Sequence, residues 1–474
     1  MSDLRVGIVG FDITPGIHPQ FGAWGTTHTM TEIDMPLLSR CIAFEQNGHK
    51  IVWYGSDLVG EIIPGTNEIR DTVAEALKLS RDQVLWSTSQ THSSGAVPGS
   101  KMTGSGTCDL SKQSPEFAKK ELDRHMTAIV DAGRAALESL QPARVWAGKG
   151  FCDSMSYNTR FPMPGGGVKF SRHHTEGLQS GKFFDPTIAL VRFESKDGKA
   201  IGAIFNFCCH PATMINDKMI SPDWVGTARQ HIEEEIDGAP AMFVQGFLGD
   251  VNCYHVFGNP DHAKRTGARM GQAAVRAMRT LIPARGEPLD IAYETIELPC
   301  RPMYSREELD QQISARQAFI EELEHDPAAT WCCGINFPEA FPARERSMAV
   351  QMQIDGLNKV LRILENGESL PNSQTLTIGA IRIGDVAGCM CPGENFTLTG
   401  MRLRQRSPFV HTLICGDTNG IFGYIGTDEE IDRGGYETDS FWKTLREDGF
   451  RLAPAKGTTD KIINTGVKLL NKLL

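Results

Sequence analysis

The sequence predicts an α/β fold, a single large mixed-sheet domain with flanking helices, and three observations support this. Apolar, β-branched runs of strand length alternate with longer amphipathic stretches of helix length along the chain. The composition, 40% hydrophobic and 22% charged over 474 residues, is that of a globular protein with material for a sizeable core. No internal repeat or low-complexity linker divides the chain, so we expect one domain over residues 1–474.

Strands and helices are predicted from the spacing of apolar residues. Short runs rich in Val, Ile, Leu and Phe predict strands over 4–9, 50–54, 84–87, 187–193, 200–207, 241–244, 289–296, 376–383 and 409–414. Apolar residues at helical spacing predict helices over 67–79, 114–140, 224–236, 261–281, 305–324 and 344–366. The last two helices, separated by the segment 331–342, are the one candidate for an inserted subregion (305–366), which could cover a pocket.

Charge and the termini indicate the kind of partner. The net charge of -10 is spread without a Lys/Arg block, which argues against a nucleic acid and favours a small-molecule substrate, with a homo-oligomer left open. No apolar run reaches the ~20 residues needed to cross a bilayer, and the first five residues lack a secretory pattern, so we expect a soluble, cytoplasmic protein. Adjacent cysteine pairs such as Cys208-Cys209 suit reduced thiols.

Five polar loops follow predicted strands and supply the candidate site residues. In open α/β sheets ligands bind at the carboxyl ends of strands, so side chains of these loops are expected to meet. The loops carry an amide and an imidazole, a second imidazole, a second amide, a carboxylate and a phenol, which are Gln90 with His92, His210, Asn252, Glu394 and Tyr424.

These residue types suit a metal-assisted hydrolase, although the residues alone leave other readings open. Zinc accepts nitrogen and oxygen ligands, lowers the pKa of bound water toward ~7 and polarises a carbonyl group. However, no compact H-E-x-x-H motif is present. A single histidine at a strand end is more often structural, Glu394 can equally cap a helix near Phe396, and Tyr424 and Tyr436 can be core aromatics.

Five segments, taken in order, resemble the catalytic domain of the neutral, non-lysosomal ceramidases. The resemblance covers nearly the whole chain and includes residues 6–15, 210–226, 245–252, 392–404 and 423–437. It implies the ceramidase catalytic-domain fold, without that family's C-terminal immunoglobulin-like module. It further implies a zinc ion, or another divalent metal, held by two histidines, a glutamate and a tyrosine, and hydrolysis of an N-acyl amide bond.

The family's metal ligands can be carried over residue by residue. His210, Glu394 and Tyr424 match three of them. In the family's T-H-T-H-S-G segment, Gln90 falls on the first histidine, which is a ligand, and His92 falls on the second, which lies near the substrate. The resemblance therefore leaves open whether Gln90 or His92 completes the metal site.

The resemblance also implies four catalytic positions. Asn252 stands where ceramidases carry a serine, and is expected to orient the substrate. Arg160 resembles an arginine that lines the site, Tyr436 resembles a tyrosine that donates a hydrogen bond to the developing oxyanion, and His92 is the candidate acid or base.

The sequence therefore predicts a metal-dependent hydrolase that cleaves an amide, less readily an ester, of a small polar or N-acyl substrate through metal-activated water. Gln90 and Asn252, which replace stronger groups, favour an alternative, a ligand-binding protein on the same scaffold. A third hypothesis is a non-hydrolytic reaction on that scaffold, such as that of a metal-dependent lyase or lactonase.

Overall fold

The structure is a computed structural model that describes residues 3–17, 30–94, 115–215, 217–337, 341–439, 441 and 452–474. Within these residues the strands are β1 (Arg5–Asp12), β2 (Glu32–Ile33), β3 (Leu38–Gln46), β4 (His49–Ser56), β5 (Val84–Thr88), β6 (Gln141–Phe151), β7 (Ser156–Asn158), β8 (Arg160–Pro162), β9 (Val168–Phe170), β10 (Thr187–Ser195), β11 (Ala200–Phe207), β12 (Met219–Ile220), β13 (Ala241–Gln245), β14 (Val251–Cys253), β15 (Ile282–Ala284), β16 (Leu289–Pro299), β17 (Trp331–Cys332), β18 (Ile335–Asn336), β19 (Ser373–Ile383), β20 (Val386–Met390), β21 (Glu394–Asn395), β22 (His411–Cys415) and β23 (Tyr424–Ile425).

The helices alternate with these strands. They are α1 (Ile63–Leu77), α2 (Pro115–Glu138), α3 (His174–Gln179), α4 (Trp224–Glu235), α5 (Pro260–Met278), α6 (Arg306–His325), α7 (Ala343–Glu365), α8 (Thr397–Arg406), α9 (Asp428–Arg433), α10 (Tyr436–Asp439) and α11 (Thr458–Lys472). Among the described helices, none has the length and apolar character needed to cross a bilayer.

Two sheets form the centre of the molecule and confirm the predicted mixed α/β architecture. The larger has nine strands in the order β13-β11-β10-β6-β1-β3-β4-β5, with β15 beside β6. The pairs β11/β13 and β4/β5 are parallel, whereas the other pairs along this path are antiparallel. The smaller sheet has the order β16-β19-β20-β22.

The helices cover the sheets because each has one apolar face to bury. Helices α1 and α2 pack near β1, β3 and β5, while α4 and α5 pack near β6, β10 and β13. Between the two sheets lies a shared apolar core that includes Ile42, Ile204, Met242, Ile381 and Leu413. The eleven cysteines of the described ranges are free thiols, and all but Cys333 are buried.

All nine predicted strands are present, but fourteen further strands of the described residues were not predicted. Four of them, β3, β6, β15 and β20, belong to the two central sheets, and β6 lies between β10 and β1 in the larger one. Helix α1 begins at Ile63, four residues before the predicted start, and Ser114, the predicted start of α2, lies outside the described residues. Helices α6 and α7, which follow β16 and precede β19 in the sequence, pack against each other. Part of the segment that separates the two helices, 338–340, also lies outside the described residues.

Candidate active site

A cavity of about 1160 Å³, part of it open to solvent, lies beside the ends of β5, β11 and β13. Ligand sites in proteins are typically concave and mostly apolar with a few converging polar groups, and the lining of this cavity fits that description. Seven of the residues predicted from the sequence line it, namely Gln90, His92, His210, Asn252, Glu394, Tyr424 and Tyr436. Side chains from five distant loops therefore share one cavity.

The closest polar contact in this cavity joins His210 to Glu394. Atom Nε2 of His210 lies 3.3 Å from Oε2 of Glu394, and both side chains are buried. On the other side of the ring, Nδ1 lies 2.9 Å from the carbonyl oxygen of Val251. Because a carbonyl oxygen only accepts, Nδ1 donates there, so Nε2 of a neutral ring is an acceptor facing a carboxylate. Two such acceptors stabilise each other only through a shared proton or cation.

Glu394 is held in place by backbone contacts on both sides. Its strand β21 pairs in parallel with β23, so that Glu394 stands directly beside Tyr424. On the opposite side, a Cβ atom on Gly249 would lie 2.2 Å from the carbonyl oxygen of Glu394. Glycine at this position therefore allows the loop after β13 to approach β21.

Burial and the neighbouring carboxylate keep the Tyr424 phenol neutral. Burial raises the pKa of Tyr424 well above its usual value, and the negative charge of Glu394 raises it further. A nearby cation acts in the opposite direction, because it stabilises the phenolate. Tyr424 and Glu394 together therefore favour a bound cation.

Gln90 presents an oxygen atom in the same cavity. Its side chain is 4% exposed, and among the described residues Oε1 has no hydrogen-bond partner. Its backbone adopts φ +63 and donates to the carbonyl oxygen of Leu58. A buried amide oxygen without a donor is unusual, since most such groups are hydrogen-bonded.

His92 lies beside His210 rather than between the proposed ligands. The two ring centroids are 5.9 Å apart, and the backbone N–H of His92 donates to the carbonyl oxygen of Pro211. Within the described chain, no three His, Cys, Asp or Glu side chains are grouped closely enough to hold a metal ion. His92, His210 and Glu394 therefore do not form a three-ligand set, which favours Gln90 as the further donor.

The residues present fit a divalent cation, with a donor set other than three His, Cys, Asp or Glu side chains. Nε2 of His210 and Oε2 of Glu394 face each other, the Tyr424 phenol adjoins them, and Oε1 of Gln90 is an unsatisfied acceptor in the same cavity. One imidazole nitrogen and several oxygens make a harder set than two imidazoles, so cations that prefer oxygen compete with zinc here.

Asn252 and Tyr436 line the cavity as predicted. Asn252 lies on β14, where its neighbour Cys253 is fully buried and hydrogen-bonded to Thr213, outside the cavity lining. The ring centroid of Tyr436 lies 5.9 Å from that of Tyr424. The structure therefore brings an amide and a second phenol to the proposed metal ligands.

Arg160 is the one candidate that the structure places away from the cavity lining. Its fully buried guanidinium donates from Nε to Glu430 at 2.9 Å and from Nη1 to Glu437 at 2.7 Å. Nη2 donates to the carbonyl oxygens of Glu430 and Gly434. The expectation that Arg160 lines the site is corrected, because its donors are used to join β8 to α9 and α10.

A different arginine, Arg172, lines the cavity. An apolar wall faces it, to which the segment before α7 and α7 itself contribute Phe337, Phe341 and Met352. Part of the candidate insertion 305–366 thus borders the cavity. His173 and His174 of the same loop do not contribute, and His174 stacks on Tyr254.

Comparison with known proteins identifies the class of fold. No protein-family model matches the chain. Its architecture is that of solved ceramidases. The crystal structure of neutral ceramidase from Pseudomonas aeruginosa matches with a TM-score of 0.67 at 19% identity, over 99% of this chain and 75% of that chain. A ceramidase complexed with C2 matches with a TM-score of 0.69 at 18% identity over the same shares. These similarities show a ceramidase-like fold.

Proposed function

We propose that the chain is a metal-dependent hydrolase that cleaves an amide bond, in preference to an ester, of a small polar or N-acyl substrate. The observation that carries the proposal is the approach of His210 Nε2 to Glu394 Oε2 at 3.3 Å inside the cavity. The ceramidase-like fold supports the same reaction class. Oxygen atoms of Gln90 and Tyr424 would complete the ligand set.

Each proposed ligand has a defined part. The carbonyl oxygen of Val251 fixes the His210 tautomer, as outer-shell acceptors commonly do for metal-binding histidines. Glu394 supplies the negative charge, and Tyr424 would bind as a phenolate. When bound, a divalent cation would lower the pKa of a water molecule and polarise the scissile carbonyl group.

The remaining polar residues would bind the substrate and transfer protons. The Tyr436 hydroxyl would donate to the carbonyl oxygen as negative charge develops there, and loss of one such donor typically costs about 2.7–4 kcal/mol. His92 would pass a proton to the leaving amine, and Asn252 would hold the substrate. The apolar wall of Phe337, Phe341 and Met352 would take an acyl group and exclude water.

Metal content and hydrolysis test the proposal together. Purified protein should bind about one equivalent of zinc by elemental analysis and should hydrolyse short N-acyl amides in a chelator-sensitive way. Glu394→Gln should lose both properties. Glu307→Gln, at an exposed position of α6, is the matched control and should keep both. Protein that cannot be loaded with any divalent metal would refute the proposal.

The amide at Gln90 favours a second candidate, a binding protein that uses the same cavity without turnover. An amide oxygen is a weaker zinc donor than an imidazole nitrogen, so a site completed by Gln90 holds the metal less tightly than one completed by histidine. A metabolite that raises the melting temperature of metal-loaded protein yet is recovered intact would favour this candidate. Turnover that Glu394→Gln abolishes would exclude it.

A further inference from the structure

Arg172 places a positive charge without a carboxylate partner inside the cavity. Within the described chain it makes no ion pair, and its buried Nε has no hydrogen-bond partner. The carboxylate that acts on it through space is that of Glu437. Glu437, however, is already bonded to Arg160 Nη1 and to Thr159 Oγ1, each at 2.7 Å. The charge on Arg172 is therefore available to a ligand.

Aromatic rings hold the Arg172 guanidinium in position. Its Cζ atom lies 4.2 Å from the ring centroid of Phe170, 5.2 Å from that of Phe257, 5.5 Å from that of Phe341 and 5.9 Å from that of Tyr436. Ring faces attract a cation, but they offer little to its in-plane N–H groups. The rings thus orient the guanidinium and leave its hydrogen-bonding edge unsatisfied.

A buried guanidinium in this state is costly unless an anion binds it. Burial lowers the pKa of Arg172, but arginine stays protonated in proteins, so the cost is met by pairing rather than by loss of the proton. The planar fork of N–H groups matches a carboxylate through two parallel hydrogen bonds. A neutral lipid amide would bury the cation further and give it no negative charge to pair with.

We infer that Arg172 binds a carboxylate group of the substrate, so that the substrate is an N-acyl amino acid rather than a neutral N-acyl amine. The inference rests on the proposed function, because it assigns the substrate class of the same site. Tyr436 lies 5.9 Å from Arg172 Cζ and 5.9 Å from the Tyr424 ring, so one aromatic ring separates the carboxylate subsite from the proposed metal ligands. This spacing suits a scissile amide and an α-carboxylate within one small molecule.

A pair of probes that differ in one charge tests the inference by binding alone. Isothermal titration calorimetry would compare N-octanoylglycine with N-octanoylglycinamide, using protein kept in chelator so that no metal ion can attract the carboxylate. The wild-type protein should bind the acid about tenfold or more tightly than the amide, as expected for a charge-assisted pair. Equal affinities, or no binding of either probe, would overturn the inference.

Variants assign the preference to Arg172. Arg172→Gln should abolish the preference for the acid over the amide, while Arg172→Lys should keep the charge but lose most of the gain from the two-pronged contact. Arg134→Gln, on the exposed side of α2, is the matched control and should behave as wild type. A preference that survives both Arg172 substitutions would overturn the inference.

Hydrolysis of the same two probes by zinc-loaded protein separates this inference from the proposed function. If the acid binds through Arg172 but neither probe is cleaved by metal-loaded protein, the hydrolase proposal fails and the carboxylate subsite stands. If both probes are cleaved with equal kcat/KM, the hydrolase proposal stands and the carboxylate subsite is refuted.

Discussion

Nε2 of His210 and Oε2 of Glu394 meet at 3.3 Å although 184 residues separate them along the chain. The contact arises because β11, which leads to His210, pairs with β13, and the loop after β13 packs against β21, which carries Glu394. Because the two groups come from separate parts of the chain, a cation bound between them would link those parts in the folded state.

Zinc is therefore expected to stabilise the folded chain. A ligand that binds only the folded state at a concentration 100 times its Kd adds about 2.7 kcal/mol to the free energy of unfolding. Differential scanning fluorimetry should show a higher Tm with zinc for the wild type and no change for His210→Ala. His231→Ala, remote from the cavity lining, should respond as the wild type does. An equal shift in all three proteins would contradict the prediction.

Gln90→His should strengthen zinc binding by about tenfold or more, because an imidazole nitrogen is a better zinc ligand than an amide oxygen. Histidine is among the residues that tolerate the positive φ found here. Competition with a chromogenic chelator would give the affinity. Gln90→Leu keeps the approximate size without a donor atom and should bind more weakly than wild type. If all three proteins bind zinc with the same affinity, Gln90 is not a metal ligand.

Arg160 is expected to matter for stability rather than for substrate contact. Arg160→Met leaves the buried Glu437 without its ion-pair partner, and loss of one partner of a buried ion pair typically costs about 3–5 kcal/mol. Urea unfolding should show this loss, whereas Arg134→Met on the surface of α2 should change the free energy of unfolding by less than about 0.5 kcal/mol.

A double substitution tests whether the unpaired charge of Glu437 causes the loss of stability in Arg160→Met. Arg160→Met combined with Glu437→Gln should cost less than the sum of the two single changes, because the second change removes the charge left by the first. Strict additivity would show that the loss has another origin.

The strands that the sequence missed are of different kinds, since β3 and β20 are almost entirely buried whereas β6 is not. Strand β6 escaped prediction because only a few of its residues are buried and it carries Gly148 and Gly150. A Cβ at Gly150 would lie 2.5 Å from Cβ of Ala277, so the glycine serves close packing of α5 on the sheet. Propensity rules interpret such a glycine as a loop signal, whereas the tertiary contact is what requires it.

The cavity residues at strand ends were predictable, but the role of Arg172 was not. Strand ends are local features of the sequence, so Gln90, His210 and Glu394 could be placed near one another in advance. The environment of Arg172 is made by rings from β9, from the loop before α5 and from the segment before α7, and no local pattern connects them. For the same reason Arg160 was assigned to the cavity although its partners lie in α9 and α10.

Asp417 carries a carboxyl group in a position that opposes ionisation. It is 1% exposed, and within the part of the chain that the structure describes neither of its carboxyl oxygens has a hydrogen-bond partner. Burial raises the pKa of Asp417 well above its usual value, and the charge of Glu394 raises it further. Between the pKa of Asp417 in the unfolded chain and its higher pKa in the folded chain, the folded chain therefore keeps a carboxyl proton that the unfolded chain releases.

This proton determines the direction of a pH effect. Between the unfolded and the folded pKa of Asp417 the folded state binds more protons, so its contribution to the free energy of unfolding falls as the pH rises. Asp417→Asn removes that titration and keeps both the side-chain shape and the tolerance of φ +44.

In chelator, urea unfolding at pH 8 should therefore find Asp417→Asn more stable than wild type, because the wild-type contribution falls by about 1.4 kcal/mol for each pH unit between the unfolded and the folded pKa of Asp417. At pH 4, where the wild-type carboxyl is protonated in the folded state, the two proteins should agree within a few tenths of a kcal/mol. Asp131→Asn, at an exposed position of α2, should match wild type at both pH values. A variant that is less stable than wild type at pH 8 would mean that the Asp417 carboxylate is ionised and bonded, since only a charged acceptor with a donor beside it would lose energy on becoming an amide.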